Sequence, residues 1–389
     1  MTVRVLAVAD SDAYLKWAVA TLGSLQLPGD ELAERVRTRT VVVRSPVLPT
    51  PAQVAAATAG SAGPDPDVMA IWQLRRLLRS EPFDVVLVAA TGPVGQVVGR
   101  LVHDLPGRRP ALVTGLPGLA LPATAVGVRR RAWCDAFVVH SRAERDAYRA
   151  AFAAQGLEPR IVLGRLPFAA PPVGRGPSDG APATVVFAAQ PSVPAERAER
   201  VQLLAGLAAA AARGLDVVVK LRATKGERQT HLEPYPYPDL WAQEHERLGH
   251  PAGRLRFATG PLRDWLRPGA TLVTVSSTAA LESLAAGVPT VLVADLGVRD
   301  DLLNPPFASS RLLRPLEDLP AAVAAGVAGP DLTWAREHGL HDDASELSAA
   351  VVDLAERSRT RRLPRRAVPV GRRSVLRLVV PVRVARALG

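Results

Sequence analysis

The chain has 389 residues, of which 48% are hydrophobic and 4% aromatic, and it carries one cysteine, Cys134. This length favours two domains, and a single cysteine excludes an internal disulfide and favours a reducing, cytoplasmic compartment. No apolar run approaches the roughly 18 residues that span a bilayer. The short apolar core of residues 1–10 predicts a strand there and no signal peptide.

The formal net charge of +11 is concentrated at the carboxyl end of the chain. Residues 357–389 contain eleven arginines and no acid; subtracting eleven from 48 Lys+Arg leaves 37, which equals the number of Asp+Glu. Residues 1–356 are therefore neutral overall. A neutral body does not favour nucleic-acid binding, and we expect no nucleic-acid partner.

Short apolar strands alternate with helical stretches through the first half of the chain. The predicted strands are 3–9, 41–43, 84–89, 111–113, 136–139 and 160–163. The predicted helices are 13–25, 68–79, one that follows the turn 91–93 and ends at 102, one whose end lies over 129–134, and 142–155. This alternation is typical of a parallel, doubly wound α/β sheet.

The same alternation restarts after residues 171–182, a predicted linker with four prolines and three glycines. The second set of predicted strands is 184–188, 216–221, 255–258, 271–275 and 290–294. The second set of predicted helices is 197–213, 263–267, 279–286, 319–328 and 344–357. We therefore predict an α/β fold with two Rossmann-like, doubly wound domains, 1–170 and 183–356, that face a cleft, followed by a basic tail, 357–389.

The most informative pattern is a strand–helix–strand unit at residues 271–294. Three hydroxyl residues precede its helix: Ser276, Ser277 and Thr278. Gly287 lies where a left-handed helix C-cap is expected. The free amides of a helix N-terminus bind anions, and Glu282 leans back toward that end. The unit suits a pyrophosphate beside the hydroxyls and a ribose beside Glu282; a well-capped crossover without a ligand is the alternative.

Polar residues also follow two other strands of the second half. The strand 184–188 is followed by Gln190 and Ser192. The strand 216–221 contains Lys220 near its end and is followed by Arg222, Lys225 and His231. Carboxyl ends of parallel strands share one edge, so we expect these side chains at the same crevice. Cations there would stabilise a nucleoside diphosphate leaving group. An ordinary solvated loop is the alternative.

Asp10 and Asp12 follow the first strand and allow several interpretations. They cap the next helix, or one of them deprotonates an acceptor hydroxyl, or they begin a phosphatase that forms an aspartyl-phosphate. A divalent-metal site is a further alternative, but that D-x-D motif normally lies far from the N-terminus. Farther along, Gly115 and Gly118 either let an acceptor approach the backbone closely or form a type II turn. No His/Cys cluster has zinc spacing.

The chain resembles the GT-B glycosyltransferases over nearly the whole of residues 1–356. The element from Ser276 through Glu282 to Gly287-Val288-Pro289 is similar to the donor-binding element of that fold, and residues 162–168 resemble the exit that joins its two domains. The start, ADSDAYLKW at 9–17, is similar to an uncharacterised bacterial glycosyltransferase family. One departure is Val275, where many retaining members carry a second glutamate.

The resemblance implies transfer of a sugar from a nucleotide-activated donor to an acceptor, without an obligatory metal. The first domain would bind the acceptor and the second the donor. No separate cofactor is expected, because the nucleotide sugar is a substrate. A non-catalytic nucleotide-sugar-binding or regulatory protein, and less favoured a phosphatase built on Asp10 and Asp12, are the alternatives.

The basic tail interleaves arginines with aliphatic residues, and Pro381 interrupts any continuous helix. Such a segment suits the headgroup boundary of an anionic membrane, where a lipid-linked acceptor would be found. The protein would then lie peripherally on the inner face of the membrane. A solvated tail, an apolar strip that packs back on the first domain, and nucleic-acid contact are the alternatives.

Overall fold

The computed structural model describes residues 2–26, 32–59, 61, 63–166, 183–222, 233–341, 345–371, 375 and 378. The chain divides into two compact units. The first contains Met1–Pro167 and Asp342–Gly389, and the second contains Phe168–His341. The predicted linker, 171–182, lies outside the described residues.

The first unit is built on a parallel sheet. Its described strands are β1 (Val3–Ala9), β2 (Val36–Val43), β3 (Asp67–Met69), β4 (Val85–Ala89), β5 (Ala111–Gly115), β6 (Ala136–Val139) and β7 (Arg160–Leu163). Its helices between these strands are α1 (Asp12–Ser24), α2 (Pro51–Thr58), α3 (Ile71–Ser80), α4 (Gly92–His103), α5 (Ala125–Arg129) and α6 (Arg142–Ala153). The strand order is β3-β2-β1-β4-β5-β6-β7, and every pairing is parallel.

The second unit repeats this architecture. Its described strands are β8 (Thr184–Ala188), β9 (Asp216–Lys220), β10 (Arg256–Ala258), β11 (Ala270–Thr274), β12 (Thr290–Val293) and β13 (Leu313–Arg314). Its helices are α7 (Arg197–Ala212), α8 (Tyr237–Glu244), α9 (Ala279–Ala285), α10 (Leu319–Ala325) and α11 (Leu332–Glu337). The order is β10-β9-β8-β11-β12-β13, again entirely parallel. The predicted α/β, doubly wound fold class is confirmed for both units.

Each sheet is buried by aliphatic side chains, as the composition predicts for parallel strands covered on both faces. Every residue of β4, β6, β8 and β12 is buried. Aromatic residues are used sparingly: Tyr148 and Phe152 of α6 pack on Phe137, with ring centroids 4.4 Å and 5.4 Å away.

Some predicted elements differ from the structure. The predicted helix 68–79 is wrong at its start, because Val68 and Met69 pair with β2 in the edge strand β3 and α3 begins at Ile71. The helix predicted to end over 129–134 ends at Arg129, and turns follow it. Predicted helix 263–267 is a single 3-10 turn. Helices α2, α8 and α11 and strand β13 were not predicted.

The last described helix, α12 (Leu347–Arg359), belongs to the first unit. It packs against β4, β5 and β7. Glu346, directly before it, accepts from the Leu163 amide (3.0 Å) and pairs with Arg145 (2.7 Å). Arg359 pairs with buried Asp84 (2.5 Å). The predicted second-domain boundary at 356 is therefore corrected: the chain returns to the first unit from Asp342 onward, because these polar anchors lie on that unit.

Part of the predicted tail also packs on the first unit. Leu363 is buried, and Val368 and Leu378 pack against the core of that unit. Arg366 donates to the carbonyl of Cys134 (2.6 Å), and Arg365 donates to the carbonyls of His103 and Gly107. The alternative in which the tail packs back on the first domain is thus correct for these residues.

A buried ion pair holds this return segment in place. Arg109 donates to both carboxylate oxygens of Asp135 at 2.7 Å and 2.8 Å, and the two side chains are 2% and 4% exposed. Asp135 also accepts from the amide of Leu112 (2.8 Å), while Arg109 donates to the carbonyl of Pro364 (2.5 Å). One pair therefore joins the start of β5, the start of β6 and the segment after α12.

We expect Arg109→Ala to lower the free energy of unfolding by about 3–5 kcal/mol, because Asp135 would keep its burial and lose its cation. Urea titration measures this loss. Arg149→Ala is the matched control, since Arg149 pairs with Asp146 at 3.4 Å on an exposed helix face, where such pairs contribute about 0–1 kcal/mol. Equal losses in the two variants would contradict the prediction.

Candidate functional site

The second sheet reverses its strand order between β8 and β11. Strands β9 and β10 lie on one side of this point, and β12 and β13 on the other. In open α/β sheets the carboxyl edge at such a reversal is where ligands bind. Thr274, the last residue of β11, donates its hydroxyl to the carbonyl of Ala188, the last residue of β8, at 3.0 Å. The strands thus stay joined up to the edge.

Gln190 and Ser276 meet directly beyond that edge. The Gln190 Oε1 atom accepts from the Ser276 amide at 3.1 Å, and Gln190 Nε2 lies 3.2 Å from Ser276 Oγ. The structure therefore brings together two predicted donor-site residues that are 86 positions apart in the chain. Ser192, two residues after Gln190, is half-buried.

The other members of the 276–278 hydroxyl group lie at the start of α9. Ser277 Oγ accepts from the amide of Ala279 at 3.2 Å, and Thr278 is half-buried. Gly287 has φ 72°, the left-handed conformation predicted for the end of this helix. Glu282 is half-buried one turn inside α9. These positions match the predicted strand–helix–strand unit.

Arg200 of α7 organises the loop that carries Gln190, and it was not predicted. Its side chain is 0% exposed, donates to the carbonyls of Gln190 (3.2 Å), Pro191 (2.5 Å) and Pro194 (2.8 Å), and pairs with Glu233 (2.9 Å). Fixing the Gln190 backbone also fixes where its amide meets Ser276. The available signal was an arginine at an apolar-stripe position of a helix rich in leucine and alanine.

The predicted cations begin at the end of β9, the neighbour of β8. Lys220 is the last residue of β9 and half-buried, and its carbonyl accepts from the amide of Ala189 (3.0 Å). Arg222 is exposed. Lys225 and His231 lie outside the described residues. Lys220 and Arg222 therefore lie at the same sheet edge as Gln190.

The first sheet reverses its order between β1 and β4, and Asp10 lies at that point. The Asp10 carboxylate accepts from the amide of Thr91 at 3.1 Å and from its hydroxyl at 2.5 Å, so it joins the loops after β1 and β4. Asp10 is 0% exposed, and burial raises its pKa to about 6. Ser11 occupies the N-cap of α1, and Asp12, the first residue of that helix, is half-buried.

Gly115, a predicted acceptor residue, ends β5 against the ring of Trp17. A Cβ atom on Gly115 would lie 2.7 Å from Trp17 Cζ2 and 2.9 Å from the carbonyl oxygen of Val138. The absence of a side chain at Gly115 therefore lets the Trp17 ring pack closely against the backbone there. Gly118 is buried with φ 90°, a conformation that favours glycine.

Trp17 also contacts a buried polar cluster that contains His140 and Glu144. Its Nε1 atom donates to His140 Nε2 (2.8 Å), and His140 Nδ1 lies 3.1 Å from the carbonyl oxygen of Arg165. Glu144 accepts from the amides of His140 and Ala120, each at 2.8 Å, and burial raises its pKa to about 7. The cluster holds the chain where it leaves β6 and β7.

Within the described ranges, no group of three or more His, Cys, Asp or Glu side chains is arranged to hold a metal ion. None of the described helices is both long enough and apolar enough to cross a bilayer.

The family of the chain follows from comparison with known proteins. Residues 5–354 match the model of a family described as "Putative glycosyltransferase (DUF6716)". The chain belongs to this glycosyltransferase family. The match extends over both units and includes the Gln190–Ser276 contact. A search of curated proteins returned no match.

Solved structures show the fold of this glycosyltransferase. A Staphylococcus aureus MnaA structure with UDP has a TM-score of 0.53 at 11% identity, covering 95% of this chain and 100% of that one. A Neisseria meningitidis UDP-GlcNAc 2-epimerase with UDP-GlcNAc has a TM-score of 0.52 at 8% identity, covering 90% and 98%. Phytolacca americana UGT2 with UDP-2-fluoro-glucose and pterostilbene has a TM-score of 0.52 at 11% identity, and the match covers 92% of this chain and 100% of that one. The predicted GT-B fold is confirmed.

We expect part of the stability of the glycosyltransferase to be lost as pH rises from about 4 to 6, because folded Asp10 keeps a proton that the unfolded chain has released. The pKa rise from 3.8 to about 6 corresponds to about 3 kcal/mol at most. Asp10→Asn stays neutral and should remove this part of the slope in urea titrations at stepped pH. Glu144 adds a slope of the same sign, so the test is the difference between wild type and variant.

Asp146→Asn, on an exposed helix face, is the control for that pH series and should leave the slope unchanged. An Asp10→Asn variant with the wild-type slope over this pH window would contradict a raised pKa of Asp10 in the folded state.

Proposed function

We propose that the glycosyltransferase moves a sugar from a nucleoside diphosphate donor, bound by the second unit, to an acceptor hydroxyl. The observation that carries the proposal is the contact between Gln190 and Ser276 at the switch point of the second sheet. The family match supports glycosyl transfer. Proteins of the same fold have been solved with UDP, UDP-GlcNAc and UDP-2-fluoro-glucose, which favours a nucleotide-sugar donor.

The donor is oriented by its two polar parts in this proposal. The pyrophosphate lies beside Ser277, Thr278 and the amides at the start of α9. The ribose hydroxyls donate to the Glu282 carboxylate, which lies one turn along the helix. Gln190 and Ser276 are hydrogen-bonded to each other. In this proposal they form the floor of the donor site. Ser192 lines the same loop.

Transfer needs a place for the charge that develops on the leaving group. The bond between the anomeric carbon and the diphosphate oxygen breaks, and the negative charge collects on the nucleoside diphosphate. Lys220 and Arg222, at the end of the strand beside β8, supply positive charge at this edge. We propose that these cations, with Lys225 and His231, let the reaction proceed without an obligatory metal.

The acceptor binds at the carboxyl edge of the first sheet in this proposal, and Asp12 takes its proton. The acceptor oxygen forms the new bond to the anomeric carbon while its proton passes to the Asp12 carboxylate. Asp10 is fully buried and already accepts from Thr91, so it positions the loop before Asp12. Gly118 and the residues around Gly115 form the neighbouring backbone.

The basic tail bears on where the enzyme lies in the cell. Arg359, Arg365 and Arg366 are engaged by the first unit, whereas Arg361 and Arg362 are exposed. The other arginines of the tail after 357 lie outside the described residues. We propose that this remaining positive charge contacts an anionic membrane surface, which would place the enzyme beside a lipid-linked acceptor.

Calorimetric titration of UDP, GDP, CDP and their sugars tests the donor site. Binding of one nucleotide and its sugar, followed by transfer to an acceptor, supports the proposal. Binding without transfer across an acceptor panel would favour a regulatory protein, and formation of an epimerised nucleotide sugar would favour an epimerase. No binding of any nucleotide would exclude the donor site.

We expect Glu282→Gln to weaken donor binding by about 1.5–3 kcal/mol, roughly 10- to 150-fold, because an ionised acceptor of the ribose hydroxyls is lost. Calorimetry with the preferred nucleotide measures this change. Glu317→Gln, exposed on the same unit, is the control and should bind normally. Unchanged affinity in a folded Glu282→Gln variant would show that Glu282 does not contact the donor.

We expect Asp12→Asn to reduce kcat by roughly 10²- to 10⁴-fold, because proton transfer from the acceptor is lost, while donor affinity stays unchanged. Steady-state kinetics and calorimetry measure the two quantities separately. Asp10→Asn is the comparison, and it should affect stability more than the proton-transfer step. A fully active Asp12→Asn variant would remove Asp12 as the base.

A further inference from the structure

Helix α3 presents an exposed surface that the proposed donor and acceptor sites do not use. Leu74 and Leu78 are buried on its inner side, whereas Trp72 is 64% exposed. Three exposed arginines follow Trp72 at positions three, four and seven residues later: Arg75, Arg76 and Arg79. Together with Ser80, these side chains line one shallow groove. We call Trp72, Arg75, Arg76 and Arg79 the α3 surface.

The positive charge of the α3 surface is not neutralised by the described residues. None of its three arginines joins an ion pair within the part of the chain that the structure describes. Asp67, before α3, and Glu81, directly after it, form ion pairs with arginines outside the helix. Asp67 pairs with Arg39 at 2.8 Å, and Glu81 pairs with Arg39 at 2.7 Å and with Arg4 at 3.4 Å. The outer face of α3 therefore combines an indole with three arginines that form no ion pair with any described residue.

Part of the tail packs on the same hydrophobic core as the buried side of α3. Val368 and Leu378 pack against the core cluster that contains Leu74 and Leu78 of α3. Five of the tail's arginines follow Val368 in the sequence: Arg372, Arg373, Arg377, Arg383 and Arg386. The buried side of α3 and the anchored part of the tail thus contact one hydrophobic core cluster.

We propose that the α3 surface docks on an anionic phospholipid bilayer. Tryptophan favours the headgroup boundary, where its ring is buried and its N–H stays hydrated. Arginine binds phosphate oxygens in pairs through its planar guanidinium. Its single exposed aromatic ring among three arginines does not form the contiguous apolar patch that a hydrophobic protein partner needs. The proposal goes beyond sugar transfer and does not depend on the donor site.

Flotation of the full chain with phosphatidylcholine vesicles, with and without phosphatidylglycerol, tests the charge. Arg75→Gln/Arg79→Gln should weaken partitioning to the anionic vesicles by about 30-fold, since each surface arginine contributes roughly fivefold. Arg267→Gln/Arg336→Gln is the matched control, because it removes two exposed arginines of the second unit. High salt should release the wild type, because the Debye length shortens.

Fluorescence tests whether Trp72 itself meets the bilayer. The chain has six tryptophans; four are at most 3% exposed, namely Trp17, Trp133, Trp241 and Trp334, and Trp265 is half-buried. Brominated lipids in anionic vesicles should therefore quench mainly Trp72. Quenching should disappear in Trp72→Phe, while Leu332→Ala, which alters an exposed apolar side chain of the second unit, should keep it.

Three results would overturn the proposal. They are equal partitioning of the α3 and control double variants, quenching that persists in Trp72→Phe, and equal binding to neutral and anionic vesicles. Binding of an oligonucleotide that depends on the same arginines, without flotation, would assign the α3 surface to nucleic acid instead. Unchanged nucleotide titration in the α3 variants would show that a loss of flotation is separate from the donor site.

Discussion

Parallel strand pairing is the constraint on which the rest of this protein depends. Every described pairing in both sheets is parallel, so every loop that leaves a strand end emerges at one carboxyl edge. Each order reverses once, between β1 and β4 in the first unit and between β8 and β11 in the second. This topology defines one ligand-binding edge in each unit, and polar residues of the loops lie at both edges.

Polar side chains join the loops at both of these points, and two of them, Asp10 and Arg200, are fully buried. Asp10 joins two loops of the first unit through Thr91, and Gln190 joins two loops of the second through Ser276. Arg200 acts one step behind Gln190, because its buried guanidinium binds the carbonyls of the same loop. Such groups are costly to bury unless each hydrogen-bonding partner is present. Each of these side chains therefore fixes the position of the loops that it joins.

The return of α12 to the first unit changes how the basic end of the chain should be understood. The arginines of this basic end form two groups. Some bind the first unit, as Arg359 does through Asp84, and others stay exposed, as Arg361 does. Net charge alone does not distinguish the two groups. The exposed arginines of α3 add a second source of positive charge on a helix that packs on the same core cluster as the anchored tail.

The strands were predictable from sequence, because a buried parallel strand needs a β-branched run and a turn signal at each end: β1, β6, β7 and β8 have their predicted bounds. The hydroxyl residues of 276–278, Glu282 and Gly287 were also recognised by local order alone. Only the tertiary structure decided which distant groups meet. Asp10 with Thr91, Gln190 with Ser276, Arg200 with its loop, β3 with β2, and α12 with β7 are all long-range pairings. The physical reason is that burial and partner choice depend on how the chain is folded back, whereas periodicity and capping depend on neighbours in sequence.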